Sequence, residues 1–348
     1  MAGRVGRIVG GSRIVLELFF ERTDEGLRLR APWRLLTQMM LFLTGTIFFS
    51  NLLAVLWKSL GPGTMGSSSP ASFLMNALAS LGAALLSVWI ASRFLDRRPF
   101  KDFGFHLSGE WLLDLLFGLA LGALLMTSLF LIELGSGWIS VAGTLSVIKA
   151  RVPFLIALIV PIISFLCVGV SEELLFRGYW LRNMAEGFNF PFVRQRGAVL
   201  LAWIGSSSYF GVGHVFNPNA TVVSTVNIVL AGLMLGLGYI LTGELAIPIG
   251  LHITWNFFEG NVFGFSVSGI SPVGATFVAT KQDGPTIWTG GNFGPEAGLM
   301  GVAAILSGCL LIMLWVRLRR GKVSIHTPVA EPPKPLLPNG SDPGRASS

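Results

Sequence analysis

The chain is predicted to be an all-α, polytopic membrane protein with about eight transmembrane helices. Three observations predict this. Hydrophobic residues make up 52% of the 348 positions against 12% charged, mean hydropathy is +0.68, and the apolar residues gather into eight runs near the length that crosses a hydrocarbon core. An ordinary soluble domain is excluded, so any chemistry must be argued at membrane depth.

Residues 1–33 carry Arg4, Arg7, Arg13, Arg22, Arg28 and Arg30 around a short apolar run, 14–20. That run cannot span and lacks a small-residue cleavage site, so a cytosolic or interfacial segment is expected rather than a signal peptide. Leu27 and Leu29, alternating with arginines, read like a strand. The expected spans are 35–57, 73–95, 111–134, 153–170 with a helical extension, 197–216, 222–241, 246–265 and 298–316. Basic residues alternate across the loops: the N-terminal arginines, then Lys58 alone, then Arg93, Arg97, Arg98 and Lys101. Arg182, Arg194 and Arg196 lie in one later connection, Lys281 alone in another, and Arg317, Arg319, Arg320 and Lys322 follow the last span. The positive-inside rule therefore predicts a multi-pass protein of the cell membrane with both termini in the cytosol. It also accounts for the net charge of +7 without nucleic acid, since no basic patch with interleaved aromatics is present. The organisation expected is residues 1–33 as the N-terminal segment, 34–148 as three helices, 149–265 as the core, 266–297 as an extracytosolic loop, 298–322 as the last helix and 323–348 as a tail. Six prolines in that tail predict disorder. Gly290 to Glu296 in the loop shows turn chemistry only. Cys167 and Cys309 both lie in apolar runs and give no disulfide framework.

Charge inside the spans demands an explanation, because a buried carboxylate is costly unless paired or watered. Ser171 to Gly178 reads Ser-Glu-Glu-Leu-Leu-Phe-Arg-Gly. Glu173 and Arg177 are spaced to pair along one helix face, whereas Glu172 points about 100° away. Alone, this could equally be a helix end whose charges reach the headgroups. Two histidines also lie in apolar spans: His214 shares a face with Phe210, and His252 with Asn256. Either one alone reads more simply as a packing residue than as a ligand. Glu259 shares the His252 face, while Asp114 and Glu133 read as interfacial. Trp180, Trp203 and Trp255 suit a peptide groove or an interface belt. At 1.5 Å per residue, Glu172 lies ~20 Å above a cytosolic helix end near Ala185, His214 ~33 Å from an end near Phe192, and His252 only ~9 Å past Ala246. These depths agree only if helix ends project from the hydrocarbon, and the site is then expected in the cytosolic half.

Taken in order on successive helices, Glu172-Glu173-x-x-x-Arg177, Phe210-x-x-x-His214 and His252-x-x-x-Asn256 resemble the motif set of the CAAX protease and bacteriocin-processing enzyme family, which contains the type II CAAX prenyl endopeptidases. The resemblance covers about a third of the chain. Arg98-Pro99-Phe100, Phe103-Gly104 and 290–296 resemble features of bacterial members. What it implies is an intramembrane endopeptidase acting on membrane-associated peptides or proteins. In that role Glu172 activates water with help from His214, Glu173 and Arg177 support it, and His252 with Asn256 either donates to the oxyanion or takes part in holding a metal. Glu172, His214 and His252 would form the zinc set; a metal-independent glutamate peptidase fits the same residues, and the sequence leaves both open. Two other classes compete: a non-catalytic scaffold or immunity protein of the same fold, and a transporter using the charges as a relay.

Overall fold

The computed structural model describes residues 18–23, 26–60, 66, 69–147 and 152–333. The expected features at 1–17, 24–25, 148–151 and 334–348 lie outside them. Helices dominate: α1 (Ala31–Leu60), α2 (Pro70–Asp96), α3 (Gly109–Gly135), α4 (Phe154–Phe188), α5 (Arg194–Gly213), α6 (Val222–Thr242), α7 (Ala246–Phe257), α8 (Thr286–Thr289) and α9 (Leu299–Arg320). The all-α membrane class holds, with two small antiparallel sheets added: β1 (Phe20–Thr23) with β2 (Gly26–Leu29), and β3 (Ile139–Val147) with β4 (Ala275–Gln282).

Among the described residues, six of these helices are long and apolar enough to cross a membrane: α1, α2, α3, α4, α6 and α9. The expected fifth and seventh spans fall short for different reasons. In α5, Ser206 and Ser207 are buried, and the hydroxyl of Ser206 donates to the Phe176 carbonyl at 2.6 Å. This helix is polar because its partners are protein. In contrast, α7 is simply short, ending in a π-helical turn, Phe258–Val262.

Local chemistry marks the helix ends. Ser69 and Ser108 cap α2 and α3, Thr221 and Ser224 form a capping box on α6, and Gly243 at φ 77° ends α6. The crossing of α3 and α7 is glycine-driven. A β-carbon on Gly118 or Gly122 would run into the α7 backbone, and one on Gly250 into the α3 backbone. Small residues let two helices approach this closely in lipid, and the approach fixes the rotation of α7.

The arginine-rich end is tied by buried charge. The Glu186 carboxylate accepts from Arg28 at 2.7 Å, Arg34 at 3.0 Å and Arg98 at 2.5 Å, and Arg34 also reaches Asp96 at 2.8 Å. The paired strands β1 and β2 are therefore pinned to α4 through Arg28. The tail expectation is also corrected for residues 323–333. A 3₁₀ turn, Thr327–Ala330, buries Val329 and Ala330 completely. Arg98, Arg182 and Asn189 donate to its backbone carbonyls, and the His326 amide donates to Ile240 at 2.7 Å. Proline content suggested disorder, but carbonyls accept whatever the residue type. Burial, with Arg182 and Arg320 nearby, holds the His326 imidazole below its ordinary pKa, which suits a ring packed on Gly243.

Arg194 opens α5 at one end of the bundle, while Lys281 lies on β4, in the sheet that follows α3. Both side chains are exposed. An impermeant maleimide applied from the cytosol is expected to label Arg194→Cys and not Lys281→Cys, and the reverse pattern would invert the orientation drawn from the charge bias.

Candidate active site

All six expected site residues come from three helices and meet in one region. On α4 the α-helix runs to Glu173 and continues as a π-helix, Leu174–Leu181, which contains Arg177. Such π segments frequently occur at functional sites. Arg177 donates to Glu173 Oε1 at 2.8 Å and to the Gly232 carbonyl at 3.1 Å, and its guanidinium lies 4.4 Å from the centre of the Phe210 ring. Both members of the pair are buried. Glu172 turns the other way, its side chain 27% exposed, and makes no hydrogen bond among the described residues.

From α7, His252 stands between the two glutamates. Its Nδ1 lies 2.7 Å from Glu173 Oε1, and its Nε2 lies 3.8 Å from Glu172 Oε2. His214 caps the end of α5, with Nδ1 2.8 Å from the Phe210 carbonyl. A carbonyl only accepts, so Nδ1 carries the hydrogen there and Nε2 of the neutral ring is left as an acceptor. Asn256, one turn beyond His252, makes no side-chain hydrogen bond among the described residues.

Glu172, His214, His252 and Asn256 line a cavity of about 360 Å³ whose remaining wall is mostly apolar, including Phe73, Phe165, Phe176 and Trp255. Glu173 and Arg177 do not line it. Of the three tryptophans weighed between a groove, an interface belt and packing, Trp255 lines the cavity; Trp180 instead donates to Gln38 and Trp203 to the Leu233 carbonyl.

The site lies toward the end of the bundle opposite Arg194. His214 and Asn217 lie past the end of α5 remote from Arg194, and residues 267–273 of the Gly-rich loop wall the cavity. The depth estimate from the sequence took Ala246 as a membrane boundary. In the fold Leu245 and Ala246 are fully buried, with the Leu245 amide bonded to the Gly104 carbonyl, so α7 starts inside the protein. Glu133 is likewise corrected: it is fully buried rather than interfacial. Glu259, also fully buried, lies outside the cavity lining.

Among the described residues no three His, Cys, Asp or Glu side chains converge as a group able to hold a metal. His252 gives Nδ1 to Glu173 and turns Nε2 toward Glu172, and His214 keeps Nε2 free of protein partners among the described residues.

The sequence reading missed Asn217, Ser268 and Glu296, which also line the cavity. The 290–296 glycine pattern was the available signal for Glu296; single polar residues in loops gave none for the others.

Residues 154–258 match the family described as Rce1-like, type II CAAX prenyl endopeptidase Rce1-like. No curated protein and no solved structure matches the chain.

Proposed function

The chain belongs to the CAAX protease family through residues 154–258, and from that premise we propose that it is an endopeptidase hydrolysing membrane-associated peptides or proteins through a water activated by Glu172. The observation that carries this reading is the division of labour between the adjacent glutamates: Glu173 Oε1 is held by Arg177 and His252, while Glu172, without a hydrogen bond among the described residues, faces the cavity that His214 also lines.

In the reaction, water attacks the carbonyl carbon of the scissile bond as Glu172 takes its proton, with His214 Nε2 accepting from the same water network. The carbonyl oxygen becomes an oxyanion, to which the Asn256 amide donates. His252 joins it when Nε2 carries a hydrogen. Collapse breaks the C–N bond, and the proton held by Glu172 passes to the leaving amine. The apolar wall admits hydrophobic side chains and keeps bulk water out.

Comparison of new peptide termini in cells carrying wild type or Glu172→Gln tests the function. Termini present with wild type and lost with the variant are expected; identical sets would sink the reading and favour the scaffold alternative. The metal question has its own test. Purified active protein is expected to carry little zinc and to tolerate chelator, while Asn256→Ala loses on the order of 10²-fold to 10³-fold in turnover. Stoichiometric zinc whose removal abolishes activity would overturn the metal-independent mechanism.

A further inference from the structure

Glu296 is held inside the protein with no part in the chemistry described above. It is 5% exposed and lines the cavity. Its Oε1 accepts from the Trp255 indole N–H at 3.1 Å, and its Oε2 accepts from the Ser268 amide at 2.8 Å and the Ser268 hydroxyl at 2.7 Å. One carboxylate thus joins α7, at the residue before Asn256, to the loop strand that walls the cavity. The chain of bonds goes further. The Ser268 carbonyl accepts from Asn217 at 2.9 Å, three residues past His214, and the Gly269 amide donates to Phe293 at 2.7 Å.

The glycines of 290–298 are what bring Glu296 to this place. Gly290 and Gly294 have φ of 76° and 114°, a region that favours glycine. A β-carbon on Gly290 would run into the Gly294 carbonyl, and one on Gly294 into the Ser266 carbonyl. The loop is therefore wound on itself so tightly that both positions require glycine, with two 3₁₀ turns, Gly291–Phe293 and Pro295–Ala297, carrying Glu296 into the cavity wall.

We infer that Glu296 is a positioning residue that locks the Gly-rich loop to α7 and so sets where Asn256 and the 267–273 wall meet the substrate; as regards catalysis this rests on the peptidase reading. Donors to an oxyanion work only when placed within a fraction of an ångström, whereas an apolar wall binds ground-state peptide with more tolerance. Loss of the brace should therefore act on kcat more than on KM. Glutamine at this position keeps the length but presents an NH₂ to donors, leaving at least one of Trp255 and Ser268 unpaired.

The test uses the full chain in liposomes with a pool of internally quenched decapeptides, and a loop probe, Val267→Cys in a Cys167→Ala, Cys309→Ala background. Val267 is buried in the cavity wall beside Ser268. Glu296→Gln, melting close to wild type, is expected to lower kcat at least tenfold with KM changed less than threefold, and to raise maleimide labelling at position 267 at least tenfold. Trp255→Phe deletes the N–H together with the pyrrole ring and should give part of the same loss, with the shared part not repeated when it is added to Glu296→Gln, since the two act through one bond. If Glu296→Gln does not fold, Trp255→Phe with Ser268→Ala must lower kcat in its place. Unchanged kcat and labelling in folded Glu296→Gln would overturn the inference, as would losses that simply add. Should the wild type cleave no peptide and yield no new termini in cells, the peptidase reading fails by itself. Labelling then decides the brace alone: a tenfold rise upholds it and no change overturns it.

Discussion

Glu172→Gln is expected to remove peptide-bond cleavage, by on the order of 10³-fold, while leaving the fold intact. The two halves of that expectation come from different features of one side chain. Activity falls because glutamine cannot take a proton from water, and a positioned general base supplies about 10²-fold to 10⁴-fold. Stability is kept because Glu172 is partly exposed in the cavity and hydrogen-bonds to none of the described residues, so the isosteric amide leaves no partner stranded. Turnover of a fixed peptide by purified variant and wild type, with melting temperatures measured on the same samples, checks both. A folded variant with wild-type turnover would remove Glu172 from the reaction.

The neighbouring substitution should behave in the opposite way. Glu173→Gln is expected to cost about 3–5 kcal/mol of stability, the range for breaking a buried ion pair by removing one partner. Arg177 would keep only the Gly232 carbonyl and the face of Phe210 around a guanidinium that is 1% exposed. His252 would lose the carboxylate that orients its ring, so activity should fall even in the fraction that stays folded. The double variant Glu173→Leu/Arg177→Met, which removes both charges, should recover most of the stability and none of the activity. Denaturant unfolding in detergent measures the first effect. A single variant as stable as wild type, or a double variant no better than the single, would show that the pair does not carry this burial cost.

Of the fold, the sequence by itself determined the all-α membrane class, six of the eight expected spans and which side chains share a helix face, while the meeting of the three motifs was what the family resemblance implied. Hydrophobic runs near 20 residues admit few alternatives in a bilayer, where every backbone group must be satisfied internally. The i, i+4 spacings within single helices fixed which side chains share a face, and so separated Glu172 from Glu173 before any packing was known. Those facts are local, and local periodicity reports them. What only the tertiary structure decided is non-local. The polar α5 and short α7 look like weak spans until their neighbours are seen, because their depth is set by contacts to Phe176, Gly104 and the 323–331 segment rather than by lipid. The end of the bundle that holds the site followed from that, as did the holding of residues 323–333 by arginine and asparagine donors far away in the chain. Glu296 is the clearest case: its glycine-rich surroundings announce a turn in the sequence. That the turn aims a carboxylate at Trp255 and Ser268 depends on backbone crossings between residues that no spacing relates.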